Sequence, residues 1–257
     1  RCDGSGIADG ACDCDGNVAD CAGECGGTAV VDECGVCEGS GPDQHFTCDG
    51  FKPETKAVLQ TAINSWINDN SSALTTYGEI NDWDVSLVTD MSNLFNGEGT
   101  FNDDIGSWDV CNVEDMRQMF FAAKSFNQDI GGWDISNVNS LLSVFNGADN
   151  FNQDLSSWNT TGVIDMNSTF KDSGFNHDIS NWNTSSVTTF RRMFEGASTF
   201  NQNLNSWDTG SAINMEGMFY KASDFNGDIS DWNVSQVTNM KYLFLQASSF
   251  NQDIGSW

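Results

Sequence analysis

Apolar residues recur along most of the chain with a period of 25 residues, and a tryptophan marks each period. The marker residues are Trp83, Trp108, Trp133, Trp158, Trp182, Trp207, Trp232 and Trp257, and the step from Trp158 to Trp182 is one residue shorter. A fixed period in the twenties is typical of a solenoid, in which each repeat buries its apolar side against its neighbours. The sequence therefore predicts about seven stacked repeats over residues 81–257, with tryptophan and phenylalanine columns in the core.

Two spacings coexist within a repeat. Val88, Met91, Leu94 and Phe95 lie three or four residues apart, which predicts a short helical or 3₁₀ segment with one buried side. The stretch that follows, Phe-Asn-Gln-Asp-Ile-x-x-Trp-Asp-Val, predicts extended chain. Extended segments of successive repeats would pair in parallel, about 4.8 Å apart. We therefore predict an α/β solenoid with a parallel β-sheet and short helical or 3₁₀ segments.

A polar column runs beside the phenylalanines. Its members are Asn102, Asn127, Asn152, Asn176, Asn201, Asn226 and Asn251, each directly after a phenylalanine. An amide repeated beside an aromatic core residue is expected to bond backbone groups where the chain turns. We therefore predict a buried, hydrogen-bonded asparagine ladder with a structural role.

Acidic residues form two further columns. One consists of Asp104, Asp129, Asp154, Asp178, Asp228 and Asp253 with Asn203, and the other of Asp84, Asp109, Asp134 and Asp208 with Asn159, Asn183 and Asn233. Stacked carboxylates repel each other unless they accept backbone hydrogen bonds or share cations. The sequence favours backbone capping, because asparagine can still accept such a bond where it replaces aspartate.

Residues 51–80 show helical spacing in place of the 25-residue period. The apolar set is Val58, Leu59, Ala62, Ile63, Trp66 and Ile67, and Lys52-Pro53-Glu54-Thr55 before it favours a helix start. We predict a helical N-terminal cap over the open apolar end of the first repeat. The chain stops on Trp257 without such a cap, so we expect the array either to continue or to dock head-to-tail as a homopolymer.

Residues 1–50 are a different kind of polypeptide, with many cysteines and almost no large apolar residues. The cysteines are Cys2, Cys12, Cys14, Cys21, Cys25, Cys34, Cys37 and Cys48. Such a segment is expected to be stapled by disulfides, whose pairing the sequence leaves open. Zinc is the alternative, because Cys34 and Cys37 have ligand-like spacing. The ninth cysteine, Cys111, is expected to be a buried free thiol or to bond the first segment or another chain.

Acidic residues of the first segment suggest a calcium site. Asp13, Asp15 and Asn17 lie two residues apart, and Asp20 follows a turn that contains glycine. Oxygen ligands at alternate positions are able to wrap one hard cation. The alternative is a solvated acidic loop held by disulfides.

The composition also indicates the compartment and the partners. N-glycosylation sequons lie at Asn70, Asn159, Asn167, Asn183 and Asn233, and together with the cysteines they favour a secreted or cell-surface location. The formal net charge of −27 argues against nucleic acid as a partner. No run approaches the roughly 20 apolar residues of a membrane helix, so we expect no membrane insertion in this segment.

The repeat resembles a known family of surface proteins. Trp108-Asp109-Val110 with Val113 and Met116, continuing to Phe126-Asn127-Gln128-Asp129-Ile130, is similar to the repeats of BspA-type leucine-rich-repeat surface proteins. The resemblance covers residues 51–257. It implies a curved, right-handed, leucine-rich-repeat-like coil stack that is exported and used in adhesion or partner binding. The first fifty residues are similar to Cys-Gly-Asp-rich spacers that accompany such repeats.

These observations favour a non-enzymatic structural or adhesive module of an extracellular protein or fibre. Its partners would be other extracellular proteins or copies of itself. The two histidines, His45 and His177, belong to no catalytic motif. The alternative is a module that binds glycan or another repetitive ligand. Ice is disfavoured, because the column expected to be rich in threonine also contains glutamate, asparagine and isoleucine.

Overall fold

A computed structural model describes residues 9–13, 15–32 and 34–257. The chain consists of two compact units, Arg1–Phe51 and Lys52–Trp257. Within the described residues the named elements are strands β1 (Phe46–Thr47) and β2 (Gly50–Phe51), helices α1 (Lys56–Asn68) and α2 (Asn70–Tyr77), and the 3₁₀ helix Ile80–Asp82.

Disulfides hold the first unit together. Cys12 bonds Cys25, Cys21 bonds Cys37, and Cys34 bonds Cys48. The predicted disulfides are thus confirmed for six cysteines, whereas Cys2 and Cys14 lie outside the described residues. The zinc alternative does not hold for Cys34 and Cys37, because each sulfur is bonded to another sulfur. Strands β1 and β2 pair antiparallel at the end of this unit.

The first unit contains a 12-residue repeat of its own. Asp20 and Asp32 each begin a loop that closes with an antiparallel bridge, between Ala19 and Cys25 in one case and Val31 and Cys37 in the other. Each aspartate accepts two backbone N–H bonds inside its loop and a third from nine residues on. The carboxylates therefore replace the missing apolar core as the organising groups of the loops.

The second unit begins with two helices. Thr55 caps α1 by accepting the N–H of Val58 at 3.4 Å. Asp69 ends α1 and caps α2 by accepting the N–H of Ser72 at 3.2 Å. Helix α1 buries Leu59, Ala62, Ile63 and Trp66, and the Trp66 ring meets the Trp83 ring edge-on, with centroids 5.9 Å apart.

Aromatic rings of equivalent residues stack from one repeat to the next. The ring centroids of Phe95 and Phe120 are 5.5 Å apart, and those of Phe101 and Phe126 are 6.0 Å apart, with nearly parallel planes. Four pairs of neighbouring tryptophans, among them Trp83 with Trp108 and Trp207 with Trp232, stack in the same way at 6.0–6.4 Å. These separations lie within the range of favourable aromatic pairs. The phenylalanine columns and the repeat tryptophans are buried as far as Trp232, and their last members, Phe244, Phe250 and Trp257, are half-buried.

The backbone of each repeat bonds to the next through alternate amides. In the first repeat the N–H groups of Met91, Asn93, Phe95 and Gly97 donate across to the repeat of Trp108, at 2.8–3.0 Å. The amides between them bond within their own repeat: Ser92 to the Asp90 side chain, and Leu94 and Asn96 to carbonyls three residues back. Every backbone donor of this stretch is therefore satisfied. We call these cross-repeat bonds the amide ladder.

The amide ladder explains why the repeats lack the helical segments expected from the spacing of their apolar residues. Asn93 has φ 61° and Gly97 φ 83°, and a left-handed residue interrupts a right-handed helix. Alternating right- and left-handed residues point successive donors to one side. The stretch is a series of turns, which presents apolar side chains with the same three- and four-residue spacing.

The parallel sheet expected between the repeats is also not formed as continuous strands. Parallel pairing is present only as isolated bridges within the described residues, for example between Asp90 and Asp115 and between Thr189 and Asn214. The chain bends directly after each bridge because the side chain at that position caps the amide two residues on, as Asp90 does for Ser92 at 2.8 Å.

The tryptophans add a second set of bonds between repeats. The indole N–H of Trp108 donates to the carbonyl of Ile80 at 2.8 Å, and that of Trp232 donates to the carbonyl of Leu204 at 2.8 Å. The same bond, to a carbonyl 27 or 28 residues back, occurs at Trp133, Trp158, Trp182, Trp207 and Trp257, at 3.0–3.3 Å. Trp83 instead donates to the carbonyl of Gly78 at 3.3 Å. From Trp108 onward these rings therefore both contribute to the core and satisfy a carbonyl 27 or 28 residues back.

The repeat that begins at Trp158 is one residue shorter than the others, and the missing residue is in the turn between its two phenylalanines. Phe170 and Phe175 are five positions apart, yet their rings still stack at 4.0 Å. Gly174 passes so close to the carbonyl oxygen of Asp149 that a Cβ would lie 2.4 Å from it. Glycine at this position thus permits the shorter path, and the columns continue without a break.

Helix α1 covers the acceptor side of the amide ladder. Because every ladder donor points toward the following repeat, the first repeat presents carbonyls on its other side. The Gln60 side-chain amide donates to the carbonyl of Leu94 at 3.0 Å, and Lys56 Nζ contacts Asp90 and Ser92 at 3.1 and 2.5 Å. The helix therefore provides donors where the ladder has acceptors.

We predict that Gln60→Glu lowers the free energy of unfolding by about 1–3 kcal/mol, because it leaves a half-buried carbonyl without its donor. The measurement is urea unfolding followed by tryptophan fluorescence. Gln236→Glu makes the same chemical change at an exposed residue and is expected to alter stability by less than about 0.5 kcal/mol. Equal effects of the two substitutions would contradict this role of Gln60.

Candidate interaction surfaces

The asparagine column connects neighbouring repeats through side chain and backbone. The Oδ1 atom of Asn102 accepts the N–H of Asn127 at 2.8 Å, and Oδ1 of Asn127 accepts the N–H of Asn152 at 2.9 Å. The same bond continues to Asn251. Contrary to expectation the column is not buried, since its members are exposed or half-buried. The N–H groups it satisfies belong to residues just outside the phenylalanine core.

In five repeats the residue after the asparagine supports this column. Gln128 donates its amide to the carbonyl of Asn102 at 2.7 Å, and Gln202 donates to that of Asn176 at 2.8 Å. In the shortened repeat His177 Nε2 takes this place, 3.0 Å from the carbonyl of Asn152. His177 is thus a substitute donor in a structural column, which accounts for one of the two histidines.

The acidic columns cap the backbone. Asp104 accepts the N–H of Gly106 at 2.8 Å, and Asp84 accepts that of Ser86 at 3.1 Å. The asparagines in the same columns accept equivalent bonds, as Asn203 does from Asn205 at 2.9 Å. The repeated carboxylates are therefore engaged with their own turns, which explains why asparagine is able to replace aspartate there.

One exposed position differs from repeat to repeat. It is the sixth residue after each repeat tryptophan, and its members are Thr89, Glu114, Asn139, Ile164, Thr188, Ile213 and Thr238, all exposed. We call this row the outer strip. The amide of Ile164 donates to Asn139, that of Thr188 to Ile164 and that of Ile213 to Thr188, at 2.8–2.9 Å. The strip is thus a hydrogen-bonded row of exposed side chains, including Ile164 at 50% and Ile213 at 49% exposure. The hydroxyls of Thr188 and Thr238 donate to the carbonyls of Ile164 and Ile213 at 3.1 and 3.2 Å.

A chain of ion pairs lies on another part of the repeats. Lys171 Nζ contacts Glu195 at 2.5 Å, and Arg192 contacts both Glu195 and Glu216 at 3.4–3.5 Å. Arg191 also contacts Glu216 at 3.4 Å. Three cations therefore hold two carboxylates in fixed positions across three repeats.

The predicted calcium ligands do not form one cluster in the described residues. Asp13 accepts the N–H groups of Asp15 and Asn17 at 3.0 Å and the Asn17 side-chain amide at 2.6 Å. Asp20 instead accepts the amides of its own loop. No group of three or more His, Cys, Asp or Glu side chains in the described ranges is arranged to hold a metal ion. Calcium binding by these residues stays a prediction.

Three carboxylates of the first unit, those of Asp13, Asp20 and Asp32, have pKa values below that of an ordinary aspartate. Hydrogen bonds from the Asn17 side chain and backbone lower the pKa of Asp13. The N–H of Glu24 lowers the pKa of Asp20 and the N–H of Val36 that of Asp32, each with help from other amides of the loop. All of these hydrogen bonds favour the charged form of the carboxylate.

The other candidate residues lie at the surface of the second unit. Among the sequon asparagines Asn70, Asn159, Asn183 and Asn233 are exposed, whereas Asn167 is half-buried. Cys111 is a free, half-buried thiol. A hydrogen bond with the Asp109 carboxylate raises the pKa of this thiol, which favours its unreactive protonated form.

Comparison with known proteins identifies a family for most of the chain. Residues 61–175 and 165–257 each match the family described as "Mycoplasma protein of unknown function, DUF285". No curated protein and no solved structure matches the chain. Neither helix of the described residues has the length and apolar composition needed to cross a membrane.

We predict that the loops of the first unit lose their carboxylate bonds only in strong acid. Because the folded pKa values of Asp20 and Asp32 lie below the ordinary 3.8, the stabilisation is present above that value and is lost as the pH falls through the folded pKa. The amide resonances of Ala29 and Gly41 should therefore titrate with midpoints below 3.8. Asp20→Asn should abolish the transition at Ala29 and preserve it at Gly41. A midpoint at or above 3.8 at both amides would be the contrary result.

Proposed function

The chain belongs to the DUF285 family, which matches residues 61–257, and we propose on this premise that it is a non-enzymatic, extracellular structural or adhesive module. It acts through protein–protein contacts along its repeats. Its partners are other extracellular proteins or copies of itself. Within the family we propose the BspA-type kind of surface protein, with the second unit as one right-handed solenoid that α1 and α2 cap.

The outer strip is the observation that carries this proposal. The side chains of the asparagine and aspartate columns bond the chain's own backbone at repeat after repeat. The strip side chains differ between repeats and are exposed, and its isoleucines have no polar group to satisfy. Exposed isoleucines on a rigid backbone bury apolar area on binding while little chain entropy is lost. Several such contacts along one row also gain by multivalency.

Disulfides and charge support the extracellular location. Three disulfides in a unit that lacks an apolar core are typical of an oxidising compartment. The formal charge of −27 keeps a protein with exposed aliphatic residues soluble. We propose cell-surface display, with N-glycans at the exposed sequons where the producing cell attaches them.

Binding to purified extracellular proteins tests the proposal. The chain is immobilised and presented with a panel of matrix and cell-surface proteins and with itself. We expect at least one binding partner, and at least a tenfold weaker affinity for the double variant Ile164→Ser with Ile213→Ser, since about 1.4 kcal/mol of lost apolar contact corresponds to tenfold.

The matched control is Leu74→Ser with Leu87→Ser, which removes two aliphatic side chains of similar exposure, 41% and 48%, from outside the strip. This variant should bind as the original chain does. Absence of binding to the whole panel, or equal losses in both double variants, would overturn the proposal.

A further inference from the structure

The tenth position of the repeat contains a gap at Gly217. The column consists of Asn93, Gln118, Ser143, Ser168, Arg192, Gly217 and Tyr242, with φ between 53° and 61° throughout. Residues with side chains adopt this backbone in the other six repeats, so the conformation does not require glycine. A Cβ at Gly217 would meet only ordinary contacts, 3.5 Å from Arg192 Cγ and 3.7 Å from Tyr220 Cβ. The missing side chain therefore leaves space between Arg192 and Tyr242.

This space is a cavity of about 220 Å³. Tyr220, Tyr242 and Leu245 provide its apolar walls, and Arg192, Glu195 and Glu216 provide its polar ones. Tyr242 is 61% exposed, so its ring is accessible from solvent. We call this space the tyrosine cavity.

The polar groups of the tyrosine cavity are held in place before any ligand arrives. Glu195 is fixed by Lys171 and Arg192, and its side chain is only 13% exposed. Glu216 is fixed by Arg191 and Arg192 and accepts the Asn239 amide at 3.0 Å. Burial alone would raise the pKa of Glu216, but these partners outweigh it and lower the pKa. The site thus presents fixed hydrogen-bond acceptors and a guanidinium donor.

We propose that the tyrosine cavity binds one neutral pyranose unit of a glycan. The apolar face of a sugar ring packs on a tyrosine ring, and its hydroxyls donate to carboxylates and accept from a guanidinium. The volume lies below the roughly 300–1,000 Å³ of sites for drug-sized ligands, which fits one ring. This site uses positions other than the outer strip and does not depend on the proposed protein contacts.

The charges of the site favour a neutral ligand. Lys171, Arg191 and Arg192 already compensate Glu195 and Glu216 through direct contacts. A cation would compete with these three residues for the carboxylates, and an anion would face both carboxylates across a small space. A ligand rich in hydroxyls satisfies the same groups without displacing an ion pair.

NMR titration of the full chain with methyl glycosides of glucose, galactose, mannose and N-acetylglucosamine tests the proposal. We expect at least one to shift the resonances of Tyr220 and Tyr242 with a Kd on the order of 1 mM. Gly217→Gln should weaken binding at least tenfold, because it fills the space with the residue found at Gln118. Tyr242→Leu, at an exposed position, should weaken it similarly.

Asn93→Gln enlarges a residue of the same column outside the tyrosine cavity and should leave binding unchanged. Thermal melting checks that each variant is folded. Methylammonium and methyl glucuronide probe the cationic and anionic alternatives. The proposal is overturned if no neutral glycoside shifts these resonances at about 50 mM, well above the expected Kd. It is equally overturned if Gly217→Gln and Tyr242→Leu bind as the original chain does, or if a charged probe binds more tightly than every glycoside.

Discussion

The amide ladder is the constraint on which the second unit depends. A repeat of 25 residues that contains no named helix or strand bonds only part of its amides within itself. Its alternate amides are satisfied only when the next repeat lies in register. This requirement sets the distance between repeats, and that distance brings equivalent phenylalanine and tryptophan rings to stacking separation.

Register has a cost, since it also stacks like polar groups. Local hydrogen bonds offset this repulsion, because the aspartate and asparagine side chains at the turns accept the backbone N–H two residues on. The asparagine column and the aspartate and asparagine caps together engage most of the repeated polar side chains. What remains for recognition is the outer strip and the irregular places, such as the missing side chain at Gly217. Function in such a chain is therefore expected where the repeat varies.

Some features were accessible from the sequence and others were not. Periodicity alone placed the tryptophan and phenylalanine columns in the core, and the free exchange of aspartate with asparagine indicated backbone capping. Spacing of three and four residues predicted helical segments, but turns with left-handed residues such as Asn93 produce the same spacing. The burial of the asparagines was also overestimated, because a polar ladder is able to run at the edge of the core.

Other features depend on distances that no single sequence position reveals. The disulfide pairing was open, although the recurrence of Asp20 and Cys25 at Asp32 and Cys37 was a signal for the two loops. The tyrosine cavity forms from three repeats and is visible in the sequence only as glycine in a column of larger residues. The outer strip was recognised as a variable column, but its exposure required the structure.

Native-state hydrogen exchange of the ladder amides tests the central claim most directly. These amides belong to turn residues outside any named helix or strand, and the first of them, Asn93, is exposed. Without the bonds between repeats such amides would ordinarily exchange fast. The account predicts that Asn93, Gln118, Ser143, Ser168 and Arg192 exchange at least about a thousandfold more slowly than unstructured peptides. Exchange of these amides at the rates of free loops, in a chain whose tryptophan fluorescence shows that it is folded, would contradict it.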